Sequence, residues 1–295
     1  MKTSKALALS LGEQSLPVVT EYQLGLLIYR LYDRKEFRGE SLNLQKTEAE
    51  GGDYRKYRDQ LLSEGVLSED RQLPSGVFTI LGAKSWSPED VACLIDPFSY
   101  VSHLSAMEYH GLTDRIPAKL FLSSPENKDW KTFAEEKMRK ELGESYQSYC
   151  GAGLPVLRKI KLSRVGKKEV HRSNSRHLGA FKNVRGRHLR VSTIGRTFLD
   201  MLRQPQLCGG INHVIDVFKE HGEAYLRLIV NEFESHGKKI DKIRAGYILD
   251  ELVKVDDAVV KSWQRLAQRG GSQKLDASGE YIPEWSDRWC LSINN

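Results

Sequence analysis

The run from Asp53 to Leu81 restricts the choice of fold more than any other part of the chain. Asp53-Tyr54-Arg55-Lys56-Tyr57-Arg58-Asp59-Gln60-Leu61-Leu62-Ser63-Glu64-Gly65 puts Tyr54, Tyr57 and Leu61 on one side of a helix. Arg55, Lys56 and Asp59 fall on another side, with Arg58 between. Asp53 is suited to cap the start of that helix and Gly65 to end it. Val66-Leu67, a polar run through Ser75-Gly76, and Val77-Phe78-Thr79-Ile80-Leu81 then read as strand, turn, strand. Upstream, Thr20 followed by an acid marks a helix start, and Tyr22, Leu24, Leu27, Ile28 and Leu31 recur at helical spacing. Leu42 and Leu44 are placed beneath a short helix over 45–50, and Gly51-Gly52 breaks the chain after it. Helix, short helix, basic helix and hairpin in this order are what a winged helix-turn-helix requires. Its outer helix offers donors to phosphates and base edges, although the same module also docks proteins.

Ala83-Lys84-Ser85-Trp86-Ser87-Pro88 reads as a linker, which sets domains at 1–84 and 85–295. The second is expected to mix helices and strands, so the fold class is α+β. Pro88 opens a short helix through Leu94. A helix over 97–112 ends at Gly111, a strand covers 119–124, and a charged helix covers 130–142. Strands follow near 156–162, 169–172 and 188–192. Thr193 caps a helix over 194–202 that Pro205 terminates. Helices over 211–221, 224–236, 239–253 and 256–268 precede a strand-like tail from Trp285.

Charge is distributed unevenly. The chain carries a net charge of +6, yet residues 157–196 hold thirteen Lys or Arg against one acid, Glu169. Arg158, Lys159, Lys161, Arg164, Lys167, Lys168, Arg172, Arg185, Arg187 and Arg190 form a candidate polyanion surface in the second domain. A solvated face, or a face for an acidic protein, would have the same composition. With 40% apolar and 28% charged residues the chain is expected to be globular, not disordered. No apolar run is long enough to span a bilayer, and the N-terminal Met1–Gly12 stretch is too broken for a signal peptide, so a cytoplasmic location is expected. Cys93, Cys150, Cys208 and Cys290 lie far apart and read as buried reduced thiols.

Residues able to do chemistry do not assemble into a convincing catalyst. Ser102, His103, Ser105, His110 and Asp114 could suggest a nucleophile and its base, but one helix cannot wrap all three roles around a substrate. Ser102 and Ser105 are better suited to close packing, and His110 to a hydrogen bond at the helix end. His171, His177 and His188 lack acids or cysteines at ligand spacing, so no metal and no cofactor are expected. Asp241, Glu251, Lys254, Asp256 and Asp257 fit either a nuclease centre or charge pairing along helices. Trp285 and Trp289 are expected to anchor the core.

Four stretches of the second domain resemble the abortive-infection (AbiEi) antitoxin family. They are Pro97-Phe98-Ser99-Tyr100-Val101-Ser102-His103-Leu104-Ser105-Ala106-Met107-Glu108-Tyr109-His110-Gly111-Leu112-Thr113-Asp114-Arg115-Ile116-Pro117, then Val191-Ser192-Thr193-Ile194-Gly195-Arg196-Thr197-Phe198-Leu199-Asp200-Met201-Leu202, then Arg244-Ala245-Gly246-Tyr247-Ile248-Leu249-Asp250, and Arg288-Trp289-Cys290-Leu291-Ser292-Ile293-Asn294. They keep the family's order, with Asp250 where Glu is usual. The resemblance implies a non-enzymatic transcriptional repressor that binds inverted repeats upstream of its own operon. It also implies a type IV antitoxin in phage defence, opposing a nucleotidyltransferase-like toxin without a stable complex. On that reading Arg55, Lys56 and Arg58 face the operator duplex, Arg71 reaches its backbone from the wing, and the protein is a monomer in solution or a dimer on DNA. A nuclease and a protein-docking adaptor are the alternatives.

Overall fold

The computed structural model describes residues 1–83, 86–175, 180–268 and 273–295. The expected linker residues Lys84 and Ser85, and His177, lie outside them. The chain opens with α1 (Thr3–Gln14), β1 (Val18–Thr20), α2 (Glu21–Arg34), β2 (Glu36–Phe37), β3 (Glu40–Ser41), α3 (Gly51–Ser63), β4 (Leu67–Glu69), β5 (Val77–Ile80) and α4 (Pro88–Ile95). Next come β6 (Tyr100–Val101), α5 (His103–Tyr109), β7 (Lys119–Pro125), α6 (Asn127–Leu142), α7 (Tyr146–Gly151), β8 (Arg164–Val165) and β9 (Lys168–Ser175). The remainder is β10 (Phe181–Asn183), β11 (Arg190–Ser192), α8 (Ile194–Arg203), α9 (Ile211–His221), α10 (Leu226–His236), α11 (Lys239–Gly246), α12 (Ala258–Ser262), β12 (Trp285–Ser286) and β13 (Leu291–Ser292). The fold is therefore mixed α+β. No helix among the described residues is long and apolar enough to cross a membrane.

Two compact units emerge from the packing. The first comprises Met1–Ser99, Ser124–Val170 and Gly186–Leu189; the second comprises Tyr100–Ser123, His171–Arg185 and Arg190–Asn295.

In the first unit, β1, β5 and β4 form an antiparallel sheet in that order, with Val19 opposite Phe78 and Ser68 opposite Thr79. Leu7, Leu11, Leu24, Ile28, Tyr54, Leu61 and Phe78 share one apolar core. Thr20 caps α2 as expected, and its capping box is closed by Gln23. Helix α1 escaped the sequence reading, although Ala6, Leu7 and Leu11 bury one of its faces.

Three expectations near α3 are corrected. Residues 45–48 are bends, not a helix; a six-residue segment gains too few hydrogen bonds to offset nucleation. Glu50, not Asp53, is the N-cap of α3, and Gly51-Gly52 open the helix where a break was expected. Asp53 instead accepts from the Glu50 N–H at 3.0 Å, three residues in. The glycine is there for room: the Gly51 N–H donates to the Ala152 carbonyl at 2.9 Å, and a side chain at Gly51 would strike Gly153. Gly25 does the same on α2, where a Cβ would lie 2.8 Å from the Tyr149 hydroxyl and 2.9 Å from Pro155.

The second unit builds its core from α8–α11 and the tail, with Phe198, Phe218, Phe233, Ile248, Trp263 and Trp289 fully or almost fully buried. Its sheet runs β10-β11-β6-β7-β9, with β11 and β6 parallel. The expected helix over 97–112 is shortened to α5. Tyr100 and Val101 pair with Ser123 and Leu122 of β7 instead, and these aromatic and β-branched residues suit a buried strand. Residues 156–162 form no strand; they run outside any sheet, with the Leu157 N–H turned to the Met138 sulfur. The tail pairs β12 with β13. Trp289 anchors it, but Trp285 stands 41% exposed, against the expectation for both. Cys93 and Cys208 are buried, whereas Cys150 and Cys290 are half-buried.

Candidate nucleic-acid interface

The amphipathicity of α3 works as its sequence indicates. Tyr54, Tyr57 and Leu61 are buried, while Arg55 and Lys56 are exposed and Arg58 is half-buried. The buried side fixes the helix through its tyrosines. Tyr57 meets Tyr32 edge-on at 6.4 Å, and burial pushes the Tyr54 phenol up to about 12. The outer cations are not equivalent. Lys56 lies over the Tyr57 ring at 5.5 Å. Arg58 lies over Tyr54 at 5.7 Å and is clamped by Asp59, with its Nη2 2.7 Å from Oδ1. That hydrogen bond raises the Arg58 guanidinium above its ordinary range. Arg55, exposed on the same face, has no such clamp among the described residues and is the one in position to lead.

A groove of about 490 Å³ runs beside α3. Its lining includes Arg55 and Arg58 of α3, Arg158 and Ile160, and Glu21 with Ser75-Gly76 of the β4–β5 turn. A second, of about 530 Å³, is lined by Arg71 of the same turn together with Lys161, Arg164 and Glu169. Thus the structure brings Arg55, Arg58 and Arg71, singled out as one set, against Arg158, Lys161 and Arg164, singled out as another. The segment that does this is 153–164, seated on α2 and α3 through Gly25 and Gly51. Sequence reasoning missed that seat. The available signal was two glycines on helical faces whose neighbours are otherwise bulky.

Other candidate cations are engaged elsewhere. Lys159 donates to the Pro125 carbonyl at 2.7 Å and to Asn127 at 3.1 Å. Lys168 pairs with Glu89 at 3.1 Å. Arg187 grips the buried Asp90 at 2.6 Å and Ser87 at 2.8 Å. Burial alone would raise the Asp90 pKa, but the hydrogen bonds from Arg187 and Ser87 outweigh it and hold the carboxyl below its ordinary range. Lys167 is exposed in the β8–β9 turn, whereas Arg172, Arg185 and Arg190 belong to the second unit.

The four motifs of the second unit turn out to be packing devices. Ser102 hydrogen-bonds His103 Nδ1 at 2.8 Å, His103 Nε2 meets Gln204 at 2.7 Å, and Ser123 donates to Ser102 at 2.9 Å. Ser102 and His103 are essentially inaccessible, and burial lowers the His103 pKa. A nucleophile there would have no route to substrate. His110 ties its helix end to the Ser192 carbonyl at 2.7 Å. Arg196 and Asp200 form a buried ion pair at 2.8 Å, and Gly195 lets α8 touch the backbone of α10 at Leu228. The last two motifs meet each other: the Trp289 ring lies on Gly246, while Asp250 accepts from Trp289 Nε1 at 3.2 Å and pairs with Arg288 at 2.8 Å.

The nuclease candidates are scattered among structural duties. Asp241 pairs with Arg203, Asp256 pairs with Lys261, Asp257 caps α12, and Glu251 accepts from Ser286. Among the described residues no group of three His, Cys, Asp or Glu is placed to hold a metal ion.

No protein-family model matches the chain, and no curated protein matches it. Among solved structures it is similar to the crystal structure of RV2827C protein from Mycobacterium tuberculosis, with a TM-score of 0.49 and 13% identity. The match covers 98% of this chain and 90% of that one.

Proposed function

We propose that the protein is a sequence-specific DNA-binding transcriptional repressor, with a winged helix in residues 1–84 and α3 as its recognition helix. The observation that carries this reading is the meeting of two basic sets on one unit. Arg55 and Arg58 of α3 share a groove with Arg158, and Arg71 of the β4–β5 turn shares the next with Lys161 and Arg164. Helix α3 packed on α1 and α2, followed by a short hairpin, supports the assignment. Phosphates would be held by the exposed cations and base edges read by Arg55, with Arg58 joining once it leaves Asp59.

The motif resemblance extends the reading to an antitoxin of a type IV system. Such a protein represses its own operon through inverted repeats and opposes a nucleotidyltransferase-like toxin. It acts in the cytoplasm without a cofactor or catalysis of its own.

The test is a gel shift of the full chain on its own upstream region and on a scrambled duplex, over a salt series. Wild type should prefer the native duplex at about 150 mM salt. Arg55→Ala with Arg58→Ala should weaken binding by about 1–3 kcal/mol for each base-reading side chain removed. Equal binding by wild type and the double variant would overturn the recognition-helix assignment. Destruction of the duplex, stopped by EDTA, would replace repression with a nuclease.

A further inference from the structure

The sign of the surface reverses near the C-terminus. Residues 276–287 hold four acids, Asp276, Glu280, Glu284 and Asp287, and no Lys or Arg, in a chain of net charge +6. Within this strip Tyr281, Ile282 and Trp285 are 45%, 38% and 41% exposed, and the two aromatic rings meet edge-on at 5.5 Å. Three large apolar side chains facing water together are uncommon on a surface with no partner. The backbone that carries them is tied down from below. Ser292 donates to the Ile282 carbonyl at 2.7 Å, Asn294 to the Glu280 carbonyl at 2.8 Å, and Lys274 to the Gly279 carbonyl at 2.6 Å. The Ile293 N–H donates to the Glu284 carbonyl at 2.8 Å. The strip is thus preorganised, so that little chain entropy is lost when it binds.

We propose that this strip docks on the basic face of a second copy of the chain, standing in for nucleic acid. Its carboxylates take the place of phosphates, and its rings offer faces to guanidinium groups as bases do. The complementary surface is the one described above, where Arg55, Arg71, Arg158, Lys161 and Arg164 line two grooves. The strip of one copy meets the face of another, and it competes with DNA for the same cations. The inference rests on that face being a docking surface, and it adds self-association as a brake on the repressor.

Sedimentation of the full chain tests it. At about 50 mM salt the weight-average mass should rise with concentration over roughly 5–200 μM, and fall back at about 500 mM salt. Added duplex should compete the self-association away. Glu280→Arg with Glu284→Arg reverses the strip, and Arg158→Glu with Arg164→Glu reverses the face; each variant alone should be monomeric. Mixed, they should form a one-to-one pair, because one retains an intact face and the other an intact strip. Tyr281→Ser with Trp285→Ser should weaken wild-type association at least tenfold. All these positions are at least partly exposed, and circular dichroism of each variant checks that it folds. A wild type that stays monomeric throughout, or a mixture that fails to pair, overturns the proposal. The strip-reversed variant keeps its basic face, so its binding to the native duplex reports on the DNA reading separately.

Discussion

Arginines of the two units do contrasting work. In the second unit three are spent on internal partners: Arg196 on Asp200, Arg203 on Asp241 and Arg244 on the Lys274 carbonyl. In the first, Arg55, Arg71, Arg158 and Arg164 stand along two grooves open to water. A buried guanidinium lacking its partner costs several kcal/mol, whereas a solvated one costs little and stays available to a polyanion. Charge counts along a sequence add both kinds together. Only the partner of each cation tells them apart.

Three measurements would break or sharpen this contrast. Asp200→Ala should destabilise the chain most, by about 3–5 kcal/mol in urea unfolding, because it strands Arg196 where both side chains are nearly inaccessible. Replacing both partners by apolar residues should recover most of that loss; if the single variant costs under about 1 kcal/mol, the pair is not structural.

His103 should have a smaller effect, set by pH. It faces Ser102, Gln204, Asp200, Arg196 and His171, and burial keeps its folded pKa below the ordinary value. Above about pH 6.5 the imidazole is neutral both folded and unfolded. As pH falls below that, the unfolded chain takes up a proton that the folded chain refuses. Stability therefore declines from about pH 6.5 down to the folded pKa and then levels off. His103→Gln should flatten this slope in unfolding titrations; an unchanged slope would place the proton uptake elsewhere.

The smallest effect on folding belongs to the first unit. Arg158→Ala, Lys161→Ala and Arg164→Ala together should change stability by less than about 0.5 kcal/mol each. The slope of log affinity against log salt should become shallower by about 0.9 for each phosphate that the variant no longer neutralises. A stability loss of several kcal/mol, with the salt slope of the still-folded variant unchanged, would move these residues into the structural class.

Much of the molecule was legible wherever local chemistry decided it. The Thr20 and Thr193 caps, the apolar face of α2, the Gly65 stop and the β4–β5 hairpin follow from residues within a few positions of each other. What misled was long-range. Residues 156–162 alternate like a strand but pair with none of the described strands, and Tyr100-Val101 left a helical pattern because β7 was there to pair with. The candidate site divided in the same way. The outer face of α3 could be read directly, but Lys159, Lys168 and Arg187 look like surface cations until Pro125, Glu89 and Asp90 are seen against them. Arg158 joined α3 only through glycines whose reason lies about a hundred residues away.

The Gly25 and Gly51 seat also sets a clock. A ribosome adds about 5–20 residues per second, so α2 and α3 leave it several seconds before Tyr149, Ala152 and Pro155 do. In that interval α3 can pack on α1 and α2, but it begins with two glycines that favour no helix and lacks the Ala152 carbonyl that its first N–H meets. The first turn of α3 therefore stays incomplete in a nascent chain until its own middle has been made.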